Sequence, residues 1–488
     1  MTEQIASSTD PLSTAESPGP ARRRRPGLAL GLILTAQLMF VLDSMFVTIA
    51  LPDIGRDLNF TPEGLSWVPS AYALAFGGLL LLGGRAGDVF GRRRVFTAGV
   101  LLFAVASLAA GFALSAGWLI TARVLQAVGA AFAAPSVLAL IVTGFREGPE
   151  RNRALSLFSA VSGSGIAIGL ILGGVLTDLL SWRWVLFINV PLGIFTVLLT
   201  PRFVPASPAR PGRLDVAGAL TSTLGVASLV YAVIRTSGSG WDDPLTLTAF
   251  TCAVLLLVLF VVIEARTKQP IMPLRLFTDR GRAAGFLGML LIPATMGSMF
   301  FFLTQFLQTA LKFSPIATGF AFLPFALGFI AASTVTPRLT VGLGARPVTL
   351  AGTLLVAGGV GWLTRISADS TYFPDLAGPM ALIGIGSGAA FLALNIAIMT
   401  SVPPQDSGVT SGTLQVLQNV GASLGLAILV TVFTTGSQNA AATAPAGPMQ
   451  GVHIMAEGLA QAFTTGMIFA AGAILIALTI RRQRSAGS

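Results

Sequence analysis

The chain has 488 residues, of which 53% are hydrophobic and only 10% are charged. Soluble domains carry about 25% charged residues, so this composition excludes a water-soluble globular protein, whose surface needs more charge than this chain supplies. The formal net charge of +10 is typical of nucleic-acid-binding proteins, but the positions of the basic residues, described below, argue against a nucleic-acid partner.

The apolar residues are gathered into fourteen segments, most of which are long enough to cross a hydrocarbon core of ~30 Å as α-helices. A helix satisfies its own backbone hydrogen bonds in lipid and is therefore the expected spanning element. The sequence predicts an all-α membrane protein with about 14 transmembrane helices. The predicted segments are 28–51, 65–82, 95–114, 118–143, 156–176, 184–199, 216–234, 245–263, 283–303, 316–336, 348–363, 376–399, 411–433 and 463–480.

The chain begins with a polar stretch, residues 1–27, which is rich in Ser and Pro and includes the basic run Arg22–Arg25. We expect this stretch to be a disordered tail in the cytoplasm. The first apolar segment follows, and its one charged residue, Asp43, lies far from either end. A carboxylate at that depth is costly unless it is paired or protonated, so Asp43 is a candidate functional residue.

The fourth segment contains Arg123, and a rise of ~1.5 Å per residue puts it at a depth similar to that of Asp43. Two interpretations are open. The pair is either a proton switch, whose carboxylate gains and loses a proton as the conformation changes, or a static ion pair that fixes two helices. Gln126 lies one helical turn from Arg123 and is placed to support it.

The fifth segment carries Gly165, Gly169 and Gly173 at four-residue spacing, with Gly174 adjacent. One face of this helix is nearly bare, so a neighbouring helix can approach closely. The pattern fits ordinary helix packing, and it also fits a flexible seam that gates a path.

Three connections are long, namely 202–215, 265–282 and 434–460. The first two are basic and bracket segments seven and eight, which predicts two six-helix bundles separated by a two-helix insert. A loop rich in Gly and Arg at 84–94 has a weak counterpart at 337–347, eight segments later, as an internal repeat requires. The predicted divisions are a tail at 1–27, a bundle at 28–200, the insert at 201–282, a bundle at 283–480 and a tail at 481–488.

Several amide side chains lie within the apolar segments or just beyond their ends and are expected to line a substrate cavity. Acidic residues are scarce there, which favours a neutral, anionic or weakly charged lipophilic substrate. The candidate cavity residues are Gln37, Gln126, Gln305, Gln308, Asn395, Gln418 and Asn419, with Gln415 beside them.

Basic residues are distributed unequally between the two membrane faces. If the N-terminus is cytoplasmic and the segments alternate, 24 of the 30 basic residues face the cytoplasm. This is the positive-inside rule. The charge therefore sets the topology and contacts anionic membrane lipid, with both termini cytoplasmic and no nucleic-acid partner.

Reactive side chains are rare. Cys252 is the only cysteine and His453 the only histidine, so a metal site built from these ligands is nearly excluded. Neither Lys268 nor Lys312 follows a glycine, so there is no Walker A phosphate loop. We predict no metal, no cofactor and no enzymatic activity.

Several stretches of the sequence resemble the major facilitator superfamily and, more narrowly, its fourteen-helix drug:proton antiporter branch. The stretch GRAGDVFGRRR is similar to the superfamily's motif between helices 2 and 3, and RVLQAVGAA to its helix 4 motif. The matching stretches are 84–94, 123–131, 42–52, 182–184, 189–191, and Glu264 with 270–274.

The resemblance implies two six-helix bundles around a central cavity and a proton-coupled mechanism in which Asp43 and Arg123 take part. It also implies that a loop after helix 2 acts as a gate, formed by Gly84, Asp88, Gly91, Arg92 and Arg93. Helix 5 departs from the family's antiporter motif. The motif has Gly-Pro, whereas here Gly169 is followed by Leu170, which removes a kink determinant and weakens the inference of antiport over symport.

The sequence therefore predicts a proton-coupled exporter of a small lipophilic drug, antibiotic or secondary metabolite, present as a monomer in a bacterial plasma membrane. A proton-coupled uptake symporter is the nearest alternative. A membrane sensor or scaffold without transport activity is another.

Overall fold

The computed structural model describes residues 26–145, 148–206, 214–267, 270–403, 406–443 and 447–479, and fourteen long helices with no strand make up this described part of the chain. The predicted tails at 1–27 and 481–488 therefore lie almost entirely outside it. In chain order the helices are α1 Pro26–Asp57, α2 Pro62–Phe90, α3 Arg92–Gly111, α4 Ala116–Gly144, α5 Pro149–Leu179, α6 Trp184–Phe203, α7 Val216–Ser239, α8 Pro244–Arg266, α9 Arg280–Ala310, α10 Pro315–Leu343, α11 Ala345–Leu363, α12 Ala377–Thr400, α13 Ser407–Thr443 and α14 Gln450–Thr479.

Thirteen of these described helices are long and apolar enough to cross a membrane. The other is α11, whose 19 residues include Arg346, two threonines and four glycines, which lower its hydropathy. It packs against α12 and α14 within the bundle.

Helix starts follow from local sequence. The side chains of Thr61, Ser115, Asp243 and Ser314 each accept a hydrogen bond from the backbone N–H three residues later, which caps α2, α4, α8 and α10. Such caps satisfy backbone N–H groups that have no partner within the helix. A proline follows the cap of α2, α8 and α10, where its missing N–H costs nothing.

Two glycines turn the chain at equivalent places in the two halves. Gly91 has φ of 93° between α2 and α3, and Gly344 has φ of 87° between α10 and α11. Both φ values lie in the region that glycine alone adopts without strain. The eight-helix offset between them is the internal repeat that the stretches 84–94 and 337–347 indicated.

The same repeat appears in helix packing. α3 crosses α4 at Gly99 and Gly129, where a Cβ on either glycine would lie 2.6–2.7 Å from the other's carbonyl oxygen. α11 crosses α12 at Gly352 and Gly386, with corresponding distances of 2.7 and 2.5 Å. Small residues at such crossings let two helix backbones approach closely. Helices α1–α6 and α9–α14 thus form two related six-helix bundles.

The inserted helices α7 and α8 pack against each other, and α7 also packs against α2 of one bundle and α13 of the other. Leu74, Val230, Ile234 and Ala427 form a buried apolar cluster at this junction. The Thr431 hydroxyl on α13 donates to the Val233 carbonyl on α7 at 3.0 Å. The insert therefore covers the seam between α2 and α13.

The expected loop at 434–460 is largely helical, which corrects the sequence interpretation. α13 continues to Thr443 and α14 begins at Gln450. The stretch is rich in Ala, which favours helix outside the apolar region as well as inside it. Hydropathy marked where the apolar residues stop, and the helices continue beyond that point.

Candidate functional site

A buried carboxylate lies at the centre of the first bundle. Asp43 has no exposed surface. Arg123 Nη1 donates to its Oδ2 at 2.5 Å, while Gln126 Nε2 and Asn189 Nδ2 donate to its Oδ1 at 3.2 and 2.8 Å. Helices α1, α4 and α6 thus contribute to one hydrogen-bonded group, which stabilises a charge that lipid or a dry protein interior would otherwise disfavour.

The partners of Asp43 are themselves held in place. Gln126 Oε1 accepts from Arg123 Nη1 at 3.0 Å, and Gln126 Nε2 also donates to Ser107 Oγ at 2.7 Å. The Tyr72 ring lies against the guanidinium, with its centroid 4.3 Å from Arg123 Cζ, which is cation–π geometry. We call Asp43, Arg123, Gln126, Asn189, Ser107 and Tyr72 the polar cluster.

The structure brings together Asp43, Arg123 and Gln126, the three residues that sequence reasoning grouped by depth and helical spacing. It adds Ser107, Asn189 and Tyr72. Asn189 stood in a stretch that resembles the family, but no role was assigned to it. Ser107 and Tyr72 are neutral residues in helices of ordinary composition, so nothing in the sequence distinguished them.

Two polar atoms of the cluster have no hydrogen-bond partner among the described residues. They are Arg123 Nε and Asn189 Oδ1. Buried polar atoms are usually paired, so these two atoms are available to an ordered water, a ligand or a partner in another state.

We call the side that carries Arg92, Arg202, Arg266 and Arg346 the basic side, and the other the opposite side. A cavity of about 1630 Å³ lies between the two bundles and reaches the basic side, where Arg85, Asp88 and Ser407 line it. Thr48 and Leu426 line its far end. Arg123 and Tyr72 belong to its wall, whereas Asp43 and Gln126 do not. Asp43 is therefore screened from the cavity by its own partners.

Four of the expected cavity residues, Gln37, Asn395, Gln418 and Asn419, line the wall, as does Gln415. Gln305 and Gln308 do not. They lie near the opposite side, where α9 ends in a π-helical turn, and Gln308 Nε2 donates to the Ile49 carbonyl at 2.9 Å. A cavity that opens only toward the basic side does not extend to them.

The predicted gating loop is mostly helix, which corrects that interpretation. α2 continues through Gly84 and Asp88 to Phe90, and Gly91 alone forms the turn. Gly84 and Gly87 face Pro135 and Ser136 of α4, and Gly84 also lines the cavity. Glycine within a membrane helix permits such contacts without ending the helix.

The two arginines after Gly91 have different partners. Arg92 Nε and Nη2 donate to Asp88 Oδ1 at 3.2 and 3.0 Å, at the mouth of the cavity. Arg93 Nη1 donates to the Val204 carbonyl at 3.1 Å, where α6 ends. Of the two, only Arg92 lies on the cavity wall.

The glycine seam of α5 has two parts. Gly165, Gly169 and Gly173 face Val41, Met45 and Phe46 of α1 in the same bundle. Gly174 faces the other bundle, where a Cβ would lie 2.5 Å from the Pro315 carbonyl oxygen of α10. The first three glycines allow α5 to pack closely against α1, whereas Gly174 lies at a contact between the two bundles.

The opposite side is closed by contacts of this kind. A Cβ on Gly319 of α10 would lie 2.4 Å from the Leu170 carbonyl of α5, and Thr434 Oγ1 of α13 donates to Glu63 Oε1 of α2 at 2.8 Å. Phe46, Phe302, Phe306 and Phe322 belong to one buried cluster that joins the bundles here. The structure is thus open to the basic side and closed to the other.

Two bundles related by an internal repeat, with a central cavity and a deeply buried ion pair, form the framework of a membrane transporter. The family model described as Major Facilitator Superfamily matches residues 33–426. The chain belongs to this superfamily. The predictions of family, of the all-α fourteen-helix fold and of a protein that is not an enzyme are confirmed.

Similar members of the superfamily include resistance and export proteins. The chain is 40% identical to a puromycin resistance protein of Streptomyces alboniger, over 96% of this chain and 92% of that protein. It is also 40% identical to a cephamycin export protein of Amycolatopsis lactamdurans, over 85% and 86%. A methylenomycin A resistance protein of Bacillus subtilis is 32% identical over 82% and 85%. This superfamily member is therefore related to drug and antibiotic exporters.

Solved structures share the superfamily fold. A peptide transporter in complex with sulfate matches with a TM-score of 0.66 at 15% identity, over 96% of this chain and 97% of that chain. A bacterial homologue of the human lysosomal transporter Spinster matches with a TM-score of 0.66 at 15% identity, over 94% and 97%.

Proposed function

We propose that this protein exports a small lipophilic drug, antibiotic or secondary metabolite in exchange for protons, by alternating access, as a monomer in a bacterial plasma membrane. Asp43 carries the proton. The observation that carries this proposal is the geometry of Asp43, a fully buried carboxylate one side chain behind the cavity wall, held by Arg123.

Protonation of Asp43 would change the cluster directly. A neutral carboxyl attracts the guanidinium far less than a carboxylate does, and in a medium of low dielectric this difference is large. Arg123 would then be free to turn toward the cavity, where its unpartnered Nε can find an acceptor. Loss of the proton would draw Arg123 back. The Asp43 carboxylate and an acceptor in the cavity thus compete for one guanidinium, and the protonation state of Asp43 decides between them.

Alternating access would require the contacts of the opposite side to separate while the cavity closes on the basic side. Gly174 against Pro315 and Gln308 against Ile49 are the contacts that must break. Asp88 and Arg92, at the open mouth, are the charged groups that would meet α13 as the mouth closes. This supports the gating role that the family resemblance implies for them.

The distribution of basic residues supports an orientation with the basic side and both termini in the cytoplasm. The cavity then opens to the cytoplasm, from which an exporter collects its substrate.

The decisive experiment is substrate-induced proton movement in proteoliposomes, comparing the parent with Asp43→Asn. We expect the parent to move protons when substrate is added and Asp43→Asn to move none. Asp369→Asn, at an exposed position in the loop between α11 and α12, is the matched control and should behave as the parent. Equal proton flux in the parent and Asp43→Asn would remove Asp43 from the mechanism.

One observation favours the uptake symporter as a second candidate. α5 continues as one helix through Leu170, where the family's antiporter motif has proline, a residue that favours a kink. Transport by inverted vesicles separates the two functions, because an exporter accumulates substrate inside them and an importer does not. A sensor or scaffold would give no substrate-dependent proton flux in either preparation.

A further inference from the structure

We infer that the cavity selects acidic and neutral compounds over cations, and that Arg123 binds the acidic group of an acidic substrate. This inference rests on the proposed function of the cavity as the substrate path, and it names the chemical class of the substrate.

Most of the charged side chains on the wall are basic. Among the described residues that line the cavity, Arg85, Arg92 and Arg123 are basic and Asp88 is the one carboxylate. Asp88 lies at the mouth and accepts two hydrogen bonds from Arg92. Beyond the mouth, the described residues of the wall therefore offer a cation no carboxylate.

Asp43 does not offer a cation an accessible carboxylate either. It has no exposed surface, and its two oxygens accept from Arg123, Gln126 and Asn189. To reach it, a cation would have to displace the Arg123 guanidinium. That exchange would leave a buried guanidinium without its counter-ion, which is strongly unfavourable.

Arg123 is well suited to an acidic group. A guanidinium has five N–H donors, and the hydrogen bonds to Asp43 and Gln126 both come from Nη1. Nε is buried and has no partner among the described residues, although the residue lies on the wall. The side chain is 2% exposed, so a bond formed there would be shielded from water and correspondingly strong.

The facing wall is neutral and suits the rest of such a molecule. Asn395, Gln415, Gln418 and Asn419 present amides that both donate and accept. Phe300 and Phe391 add apolar surface. Aromatic rings can also attract cations, but the Tyr72 ring already holds Arg123 on one face and stacks with Phe76 at 5.9 Å.

The test compares three fluorescent probes that differ only in the head group. They are pyrenebutyrate, pyrenebutyramide and pyrenylbutyl-trimethylammonium, with affinities measured on the purified full-length protein in detergent. We expect the acid to bind about tenfold more tightly than the ammonium, with the amide between them. Equal or tighter binding of the ammonium, or binding of the ammonium alone, would overturn the inference.

Two variants and one control show which residues give the charge preference. Asp43→Asn combined with Arg123→Gln removes both charges together, so no unpaired buried charge remains, and the acid should lose its advantage over the amide. Gln415→Glu puts a carboxylate on the wall and should raise the affinity for the ammonium about tenfold. Gln305→Glu makes the same change away from the wall and should leave all three affinities unchanged. If Gln415→Glu does not alter the ranking, the wall does not select by charge and the inference is wrong.

The proposed function is tested by a different experiment from the charge preference. Probe binding in detergent needs no proton gradient, whereas the proposed function is judged by proton flux in proteoliposomes. An acid-selective cavity without proton flux would contradict only the proposed coupling. Proton flux driven by the ammonium alone would contradict only the charge preference.

Discussion

Asn189 Nδ2 donates a hydrogen bond to Asp43 Oδ1, the same carboxylate oxygen that accepts from Gln126 Nε2. Hydrogen bonds to charged groups contribute about 1.5–3 kcal/mol each. We expect Asn189→Ala to lower the free energy of unfolding by about this amount, because Asp43 then loses a donor and stays buried.

The measurement is thermal unfolding in detergent. Asn152→Ala, at an exposed position on α5, is the control and should match the parent. If Asn189→Ala unfolds at the parental temperature, the hydrogen bond at 2.8 Å does not contribute to holding Asp43.

Residues of the candidate site differ in how far the sequence could predict them. Asp43 and Arg123 stand out because each is the one charge within an apolar segment. Tyr72 and Ser107 do not stand out, because a neutral polar side chain is common in membrane helices and its facing depends on tertiary packing. Gln305 and Gln308 satisfied the same criterion as Gln418, yet a sequence does not reveal which end of a cavity is closed.

At the scale of elements, α5 and α10 meet where both have glycine. A Cβ on Gly174 would lie 2.5 Å from a backbone oxygen of α10, so Gly174→Ala forces the two helices apart on the opposite side. Overpacking of this kind costs about 1–3 kcal/mol, which would shift the equilibrium about fivefold or more toward the state open on that side.

Spin labels at Leu179→Cys, at the end of α5, and at Lys312→Cys, in the loop between α9 and α10, report the opening. Pulsed electron paramagnetic resonance should then give a longer distance between the two labels. The background carries Cys252→Ser. Gly163→Ala is the matched control, because nothing lies within 4 Å of its Cβ position on the same helix. Identical distance distributions in Gly174→Ala and Gly163→Ala would show that the contact does not limit opening.

The hairpin of α7 and α8 is tied by Asp243, which lies in the loop between them. Asp243 Oδ2 accepts from Arg235 Nε and from the backbone N–H of Thr246, at 2.8 and 2.9 Å. The hydrogen bond from Arg235, followed by that from Thr246, lowers the pKa of Asp243 to about 2. A carboxyl whose pKa is lowered on folding stabilises the fold above its unfolded pKa of about 4.

We therefore expect Asp243→Asn to be less stable than the parent at pH 5–8, with a difference that shrinks below pH 4 and vanishes only below pH 2. Thermal unfolding in nanodiscs as a function of pH measures this difference. Asp242→Asn, an exposed neighbour, should track the parent throughout. A difference that stays constant from pH 7 to pH 2 would rule out ionised Asp243 as the cause.

Element boundaries were harder to predict than element positions, and Asp88 illustrates why. Hydropathy placed it in a loop because charges and glycines surround it, whereas α2 continues past it to Phe90. Backbone geometry ends the helix only at Gly91, where φ becomes positive. The same error shortened α13 and α14, whose polar ends remain helical.

At the scale of the whole molecule, the proposed orientation predicts which loops face the exterior. We expect Asp369→Cys to react with a membrane-impermeant maleimide in intact cells and Gly342→Cys to react only after the membrane is opened. Both positions are exposed, and they lie on different sides of the structure. The background again carries Cys252→Ser. The reverse labelling pattern would mean that the basic side faces out.

The two-bundle architecture was predictable in outline because positive charges, long basic loops and a repeated Gly-Arg stretch are all visible in the sequence. The contact of α7 with both α2 and α13 was not. It depends on apolar residues such as Val230 and Ile234, which are buried at this junction but are of the same residue types as those that face lipid in other helices.

A cell that holds many idle copies of this carrier should not discharge its own membrane. With no substrate in the cavity, Arg123 and Tyr72 stand between the water in the cavity and Asp43. A wire of water molecules across the membrane would have to pass that barrier, and the opposite side is sealed as well. The cation–π contact that orients the guanidinium thereby also separates Asp43 from the cavity, and we expect an empty carrier to leak no protons across the membrane.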